Sequence, residues 1–405
     1  MASHTPDPDD RRGSELRVAL VAEWLDPWRG GAETSTLQFI HHLQGHGVEL
    51  HVFTRSRPSP SPGMEVHTVP GASMSRVRRS ITFAHRVERV LATLDFDVVH
   101  AITPLRGADV YQPRGGTIAE SIERNLAMRR RPTARVFRKY VGHLNLKQRH
   151  LLAAERRLFA DPTGPLIIAI SDYVAEQLQR HYHLPQDRVR KVFNAVHVAP
   201  ARPHDEVRCR EMIRREFGLA DHHLAVLSVA HNFRLKGVQH WLEALARLVG
   251  RGVRDVRAFV IGRGDSQVWH RLAARLAVTD FVTFLGPSDR VAQIYHAGDV
   301  LVHPTYYDPC SRVVLEAMVS GLPCVTTRWD GASEMIVDGR NGYVLAEPRD
   351  IDGLADRIER LSDPGHRTAL ARAARAVADR VNMKRHAAEV LAVYEELRTA
   401  KLAKV

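Results

Sequence analysis

The sequence predicts an α/β protein built from two doubly wound domains that face each other across a cleft. Two observations lead to this fold class. Short apolar runs of strand length alternate with stretches of helical periodicity, a pattern typical of βαβ units and parallel sheets. The same alternation restarts after a proline-containing stretch without periodicity, which indicates a second unit of the same kind. The length of 405 residues suits two or three domains.

The first βαβ unit occupies the start of the chain. Residues 17–24 are an apolar run of strand length that leads into a glycine-containing loop over 26–33. Apolar residues then follow helical spacing over 34–44, and residues 48–53 form the next predicted strand. Further buried strands in this half are predicted at 96–100, 108–111 and 166–170.

The second unit begins with an apolar strand over 224–230 and a helical pattern over 238–249. A strand over 256–261 and a helix over 268–276 follow in the same order. The remaining predicted strands lie at 281–285, 300–303 and 323–327, and the pattern from 350 to 405 is helical.

These patterns divide the chain into five parts. We predict a disordered polar tail over 1–15, an N-terminal domain over 16–199, a linker over 200–220, a C-terminal domain over 221–385 and a final helix over 386–405. The tail lacks the apolar stretch and cleavage site of a signal peptide. Two such domains place the default ligand site in the cleft between them, beyond the carboxyl ends of the strands.

Composition excludes several classes of function. No apolar run reaches the length of about 20 residues that a membrane-spanning helix needs, and three scattered cysteines argue against a disulfide framework. The net charge of +12 favours a polyanionic partner. Nucleic acid is not expected, because the chain carries no helix-turn-helix, zinc-finger or RNP-type signature.

The most informative stretch covers residues 303–318. Asp308 follows a predicted strand and Glu316 lies eight residues later in an apolar, helix-like run. Two carboxylates facing a cleft suit a polyhydroxylated ligand, since each accepts hydrogen bonds from neighbouring hydroxyls. The helix start beside Ser311 and Arg312 would attract phosphate through its free N–H groups. A capping aspartate and a partly buried, paired glutamate would give the same pattern.

This stretch resembles the sugar-nucleotide motif of retaining glycosyltransferases of family 4, which adopt the GT-B fold of two Rossmann-like domains. The family pattern is a glutamate, seven residues and a second glutamate, and here it is Asp308-x7-Glu316. The resemblance is continuous over the C-terminal half and patchier over the N-terminal half. Six more ordered stretches carry it: 30–33, 232–237, 260–264, 284–286, 320–327 and 331–344.

The resemblance implies a role for each matched residue. Glu316 would hold the ribose hydroxyls of a nucleoside diphosphate, and Asp308 would replace the glutamate that contacts the sugar. Lys236, with Arg234 nearby, would neutralise the diphosphate as it leaves. The other expected donor-binding residues are Gly30, Gly31, Gly262, Ser311, Arg312 and Val313. The N-terminal domain would bind the acceptor.

Catalytic residues are harder to assign. Family members carry a histidine at the end of an N-domain strand, and His100 ends such a strand, although a buried role fits it equally well. The loop over 111–116 is the other candidate position for this histidine, and there the sequence has Arg114 instead. Asp308 and Lys236 complete the expected catalytic set. No cofactor and no essential metal are expected, because the D-x-D at Asp95 and Asp97 directly precedes a strand and the adjacent histidine pairs lack a zinc-binding context.

A basic segment over 124–150 has nine lysines and arginines, no acidic residue, and apolar residues at helical spacing on one side. Such a segment is typical of an anionic membrane surface, although a solvated helix covering the domain fits as well. Lipopolysaccharide-core glucosyltransferases, which the N-terminal half resembles, dock through a similar region. We therefore expect a cytoplasmic enzyme, peripheral to the inner face of the cell membrane.

The expected function is transfer of a hexose-type sugar, with retention, from a nucleoside diphosphate sugar, UDP or GDP in the first instance. The acceptor would be a lipid-linked or cell-surface glycan. Two alternatives stay open: a soluble GT-B enzyme for a small metabolite, and a GT-B protein that binds a sugar nucleotide without turnover.

Overall fold

The computed structural model describes residues 15–26, 30–44, 46–56, 63–70, 76–128, 146–197, 203–264 and 266–403. Within these ranges the chain forms two parallel sheets with helices on their faces. The strands are β1 Leu16–Val21, β2 Val48–Thr54, β3 Met64–Thr68, β4 Val98–Ala101, β5 Val110–Tyr111, β6 Leu166–Ala169, β7 Val189–Lys191, β8 Leu224–Val229, β9 Val256–Ile261, β10 Val282–Gly286, β11 Val300–His303, β12 Cys324–Thr327 and β13 Gly342–Leu345.

The helices surround these sheets. They are α1 Gly31–Leu43, α2 Arg76–Leu91, α3 Ile118–Ala127, α4 Leu146–Ala160, α5 Asp172–Tyr182, α6 Pro203–Glu216, α7 Val238–Gly250, α8 Ser266–Arg275, α9 Val291–Ala297, α10 Arg312–Val319, α11 Ile351–Arg360, α12 Pro364–Arg375, α13 Ala378–Val381 and α14 Met383–Leu402. Among the described residues, no helix combines the length and the apolar character that crossing a membrane requires.

The first sheet has the strand order β3-β2-β1-β4-β5-β6-β7, and all its neighbours are parallel. The second has the order β10-β9-β8-β11-β12-β13. In both, the order reverses between the first and fourth strands of the domain, which is the doubly wound arrangement with its ligand crevice at the reversal. The predicted fold class of two facing Rossmann-like domains is confirmed.

Central strands are buried on both faces, as parallel sheets require. Residues 18–21 of β1 are fully buried, and five of the six residues of β9 are at most 3% exposed. The edge strand β3 alternates between partly buried and exposed positions instead. Its sequence lacks the continuous apolar run by which β1 and β9 were predicted.

The predicted linker over 200–220 proves to be mostly helical, because α6 occupies it. This helix packs against α9 of the C-terminal domain. Its Ile213 is fully buried, and Arg214 forms a buried ion pair with Asp299 at 3.1 Å. Its mostly charged sequence obscures the apolar periodicity, so the sequence alone indicated no helix there.

The last helix returns to the first domain. Helix α14 packs on α1 and β4, although the residues just before it belong to the C-terminal domain. Met383, Ala387, Val390 and Tyr394 share one buried cluster with residues of β1 and β2. The predicted final helix therefore exists, begins three residues earlier than expected, and completes the N-terminal core.

Candidate functional site

The loops and helix starts that follow β1, β8 and β11 carry most of the predicted site residues. Gly237 brings two of these loops together. It has a φ of +70°, and a side chain there would overlap the carbonyl of Pro304, so only glycine permits this approach of the loop after β8 to the loop after β11. Lys236 is thereby placed beside Asp308.

Lys236 and Asp308 form the centre of the site. The Nζ atom of Lys236 lies 2.6 Å from Oδ2 of Asp308 and 3.0 Å from the carbonyl oxygen of Tyr307. Both side chains are only 17% exposed, and Nε2 of His303 lies 3.5 Å from the same Oδ2. Burial alone would raise the pKa of Asp308, but the charge of Lys236 and contact with His303 outweigh it and hold that pKa well below its usual range.

Asp330 is a functional candidate that the sequence analysis missed. It is fully buried and accepts hydrogen bonds from the backbone N–H of Ser311, the hydroxyl of Thr326 and the N–H of Ala332, each at 2.9 Å. Burial and then the charge of Asp308 raise its pKa to about 6. Asp330 therefore fixes the start of α10. Its only sequence signal is a position just before a glycine-containing turn.

Helix α10 presents Ser311, Arg312 and Glu316 to the cleft. The hydroxyl of Ser311 caps the helix by accepting from the N–H of Val314 at 3.4 Å. One turn later, Glu316 accepts from Arg312 at 2.9 Å and from the hydroxyl of Tyr295 at 3.2 Å. The Glu316 side chain is 29% exposed, so it stays within reach of a ligand.

The glycine loop of the N-terminal domain meets α10 across the cleft. Arg312 donates to Oε1 of Gln38 at 2.9 Å, and a side chain at Gly31 would come within 3.3 Å of its Cδ atom. Gly30 has an extended φ of 164°, and no positive φ is recorded for Gly31. Neither glycine adopts the left-handed region, and at Gly31 a side chain would be crowded by Arg312.

The N-terminal domain also holds the loop that carries Asp308. The hydroxyl of Tyr307 donates to the carbonyl of Gly115 at 3.1 Å. The hydroxyl of Ser171 donates to the carbonyl of Pro309 at 2.6 Å, and the amide of Asn194 donates to the carbonyl of Cys310 at 3.1 Å. Three hydrogen bonds thus tie residues on either side of Asp308 to the opposite domain.

His100 and Arg114 occupy different environments. His100 is fully buried, and its Nδ1 lies 2.5 Å from the hydroxyl of Tyr394 in α14. Burial, followed by the charge of Arg114, lowers the pKa of His100 well below its usual value. A fully buried ring has no surface with which to touch a substrate, so this placement supports the structural alternative for His100.

Arg114 lies at the first turns of α1 instead. Its Nη1 donates to the hydroxyl of Ser35 at 2.6 Å, and its Nη2 has no hydrogen-bond partner among the described residues. Burial, followed by the charge of Arg312, lowers its pKa to about 9. The charges of Arg114 and Arg312 therefore repel each other near the glycine loop.

The remaining predicted residues are placed as follows. Gly262 has a φ of +131°, and a side chain there would overlap the carbonyl of Ala230. Glycine therefore allows the chain that leaves β9 to pass close to the end of β8. Arg234 is exposed in the loop that holds Lys236, and Val313 is partly buried against the core. Asp97 accepts from the N–H of Arg17 at 2.8 Å, which gives that residue of the D-x-D a structural partner.

The basic segment over 124–150 lies mostly outside the described residues. Residues 124–128 and 146–150 are described, and among them Arg124 is only 7% exposed. Its guanidinium lies 3.4 Å from the ring centre of Trp329, and its Nε donates to the carbonyl of Tyr306 at 3.1 Å. Arg124 is thus committed to the contact between the domains and is not part of an exposed basic surface.

Comparisons with known proteins agree with this architecture. The family described as Glycosyltransferase Family 4 matches residues 29–199, and the one described as Glycosyl transferases group 1 matches residues 222–363. The lipopolysaccharide glucosyltransferase WaaG of Escherichia coli K12 is 27% identical over 86% of this chain and 91% of its own. A D-inositol 3-phosphate glycosyltransferase of Acidothermus cellulolyticus is 28% identical over 94% of this chain and 90% of its own.

Solved structures show the same fold. The crystal structure of WaaG, described as a glycosyltransferase involved in lipopolysaccharide biosynthesis, superposes with a TM-score of 0.77 and 25% identity, over 93% of this chain and 99% of that one. Anabaena Alr3699/HepE, solved in complex with UDP-glucose, gives a TM-score of 0.68 at 18% identity, over 93% of this chain and all of its own. The two family matches together span most of the chain, and the chain therefore belongs to glycosyltransferase family 4, with the GT-B fold.

Proposed function

We propose that this glycosyltransferase moves a hexose-type sugar, with retention, from a nucleoside diphosphate sugar to a lipid-linked or cell-surface glycan. The observation that carries the proposal is the cleft arrangement of Glu316, Asp308 and Lys236, with Arg312 reaching the glycine loop from the opposite side. Together these groups offer acceptors for hydroxyls and cations for phosphate.

The nucleoside would bind at Glu316. Within the described part of the chain, Oε1 of Glu316 accepts one hydrogen bond from Arg312 and its Oε2 accepts one from the hydroxyl of Tyr295. A carboxylate oxygen can accept two hydrogen bonds, so both oxygens can still receive a ribose hydroxyl. Arg312 and Tyr295 hold the carboxylate in place before the donor arrives, which reduces the ordering cost of binding.

The diphosphate would lie between Lys236 and the start of α10. The leaving diphosphate gains negative charge in the transition state, and a fixed cation stabilises that charge without reorganisation. Lys236 is fixed by Asp308 and the Tyr307 carbonyl, Arg234 lies in the same loop as Lys236, and Arg312 lies at the start of α10. With these cations in place we propose that catalysis needs no metal ion.

Retention would follow from attack on the same face as the leaving group. Asp330 does not serve as a nucleophile, because it is fully buried and three donors already bind it. Asp308 is bound by Lys236 through its Oδ2. The departing diphosphate would then help to take the acceptor's proton, as in other retaining members of the family.

The acceptor proposal is supported by the full-length similarity to WaaG, a lipopolysaccharide glucosyltransferase. On this proposal the enzyme works in the cytoplasm, peripheral to the inner face of the cell membrane. The residues of 124–150 beyond Arg124 would supply the basic membrane contact.

A second acceptor class has its own support. Several relatives of 25–33% identity are D-inositol 3-phosphate glycosyltransferases, whose names give a small phosphorylated polyol as acceptor. This favours a small-metabolite acceptor as the alternative. A sugar-nucleotide-binding protein without turnover is the third possibility that the experiment must separate.

The first test is a thermal-shift screen against UDP, GDP and ADP sugars with EDTA present. One nucleotide class should raise the midpoint of wild type and leave that of Glu316→Ala unchanged. The matched control is Glu359→Ala, which removes an exposed carboxylate paired with Arg251 on α11 and should shift like wild type. No shift in folded wild type, or equal shifts in wild type and Glu316→Ala, would contradict the donor site.

The preferred donor is then incubated with a lipid-linked glycan and, separately, with inositol phosphate. NMR of the product's anomeric proton distinguishes retention from inversion. Product on the glycan supports the main proposal, and product on inositol phosphate supports the alternative. Binding without product in either reaction would favour the protein that does not turn over.

A further inference from the structure

Two neighbouring parallel strands of the N-terminal domain each carry the pattern Glu-x-His. On β2 the pair is Glu49 and His51, and on β3 it is Glu65 and His67. The register places His51 directly opposite Glu65, with His67 one step further along the same face. Since residues i and i+2 of a strand share a face, all four side chains project from one side of the sheet.

The donor groups of His51, His67 and Glu65 form a small triangle, one corner of which is the pair of Glu65 carboxylate oxygens. Nδ1 of His51 lies 3.0 Å from Nε2 of His67. The two carboxylate oxygens of Glu65 lie 3.4 Å from Nδ1 of His51 and 3.4 Å from Nε2 of His67. Tetrahedral zinc with ligands at about 2.0–2.1 Å has ligand atoms about 3.3 Å apart, so each of these three distances is close to that between neighbouring ligands of such a site.

Glu49 completes the arrangement from behind. Its Oε1 lies 2.8 Å from Nε2 of His51, and its Oε2 is held by Nε of Arg17 at 2.8 Å. An ionised carboxylate only accepts, so the neutral ring of His51 carries its proton on Nε2 and presents the lone pair of Nδ1 to the triangle. A carboxylate behind a histidine in this way orients metal-binding histidines in proteins.

With both rings neutral and no metal ion bound, the triangle is electrostatically unfavourable. The lone pair of His51 Nδ1 faces the Glu65 carboxylate, and a proton on His67 Nε2 can bridge only one of these contacts at a time. Aromatic rings flank the triangle. The ring centres of Phe53 and His67 lie 4.5 Å apart in a stacked arrangement, and those of Phe96 and His51 lie 5.1 Å apart edge to face. His51 is only 5% exposed, whereas Glu65 opens to solvent.

The geometry points to a site for a divalent transition metal of the zinc class, bound by His51, His67 and Glu65 with water completing its coordination. The metal would join the edge strand β3 to β2. The site is independent of the proposed sugar transfer, since His51 lies in mid-strand, before the strand end that faces the cleft. A second cluster, Glu120 with Glu123 and His181, is less suitable because Arg180 already pairs with Glu120.

The test uses the full chain without a histidine tag, stripped with EDTA and desalted, with CoCl2 as the probe. Tetrahedral Co²⁺ absorbs visible light, and Zn²⁺ should displace it. Wild type is expected to bind one Co²⁺ per chain with this absorbance, and ZnCl2 should raise its thermal midpoint. His67→Ala and Glu65→Gln should lose both effects, while Glu49→Gln should bind about 10–100-fold more weakly at the same stoichiometry.

The control is His85→Ala, which removes an exposed histidine paired with Glu88 and should behave like wild type. Glu65 is 65% exposed, so Glu65→Gln stays folded even if His67→Ala does not, and circular dichroism verifies this. If wild type and Glu65→Gln bind Co²⁺ alike, or wild type shows no saturable tetrahedral absorbance, the two histidines share only a hydrogen bond and the site does not exist.

Discussion

The pairing of Lys236 with Asp308 predicts how one substitution alters stability. In Lys236→Met the carboxylate stays buried but loses its cation. Both side chains are only 17% exposed, so solvent screens the pair weakly. Removing one partner of a buried ion pair typically costs 3–5 kcal/mol, and we expect a loss of about 3 kcal/mol at pH 7.

The loss should depend on pH in a defined direction. In wild type the pKa of Asp308 is lowered, so its contribution is present above the ordinary pKa of 3.8 and is lost as pH falls. In the variant only the contact with His303 opposes burial and the charge of Asp330, so that pKa rises, and the penalty is present at pH 7 and is relieved as pH falls. The gap between the proteins should narrow by about 1.4 kcal/mol for each pH unit below the raised pKa.

The assay is urea unfolding followed by circular dichroism at pH 7 and pH 5. The hydrogen bond from Lys236 to the Tyr307 carbonyl is lost at both pH values, so it cancels from the comparison. The double variant Lys236→Met/Asp308→Asn, which removes both charges, should recover most of the loss at pH 7. An equal gap at both pH values, or a double variant as unstable as the sum of the single variants, would refute the reasoning.

Three further predictions concern separate parts of the molecule. Gly262→Ala should destabilise the protein by about 2 kcal/mol or more in thermal unfolding, because φ is +131° and the new Cβ would overlap the carbonyl of Ala230. Gly252→Ala, where φ is +88° and the Cβ would enter open space, should cost only about 1 kcal/mol. Equal costs for the two variants would contradict the role of the Ala230 contact. Burial raises the pKa of Glu155 to about 7, so its favourable contribution to the free energy of unfolding is complete below pH 4.5 and is lost as pH rises through 7. Glu155→Gln should abolish this loss, which amounts to about 3 kcal/mol in the free energy of unfolding. An unchanged pH dependence in the variant would assign the loss to another group. His100→Asn should lower the thermal midpoint and leave kcat within a few-fold, because the ring is buried against Tyr394, whereas a loss of about 10³ in kcat with an unchanged midpoint would restore a catalytic role.

The central strands could be predicted because parallel strands are buried on both faces and leave continuous apolar runs. The runs at 224–230 and 256–261 correspond to β8 and β9 within one residue. The edge strands of the first sheet leave no such signal: β3 and β7 keep exposed residues, and their sequences were not identified as strands. The edge strand β10 of the second sheet was identified, because its apolar run at 281–285 is recognisable although the strand is only partly buried. Helix α6 was missed for a related reason, since its buried face is narrow and its surface is charged.

Within the candidate site, the sequence identified groups that follow strand ends. Lys236 and Asp308 were expected separately, and the structure brings them into contact. What could not be predicted depends on contacts between the domains. The approach of Arg312 to Gly31 and the role of Asp330 require knowing how distant loops pack, which the local sequence around each residue does not contain.

The return of α14 to the first domain has a consequence for how the protein is made. Residues 383–394 complete the core around β1 and β2, so the first domain to leave the ribosome cannot finish packing until the last part of the chain has been synthesised. Domains usually fold in order during synthesis. Here the second sheet can be complete while the first still exposes apolar surface to solvent. A premature stop before Met383 would therefore remove core contacts of the N-terminal domain, although the stop lies in the C-terminal part of the sequence.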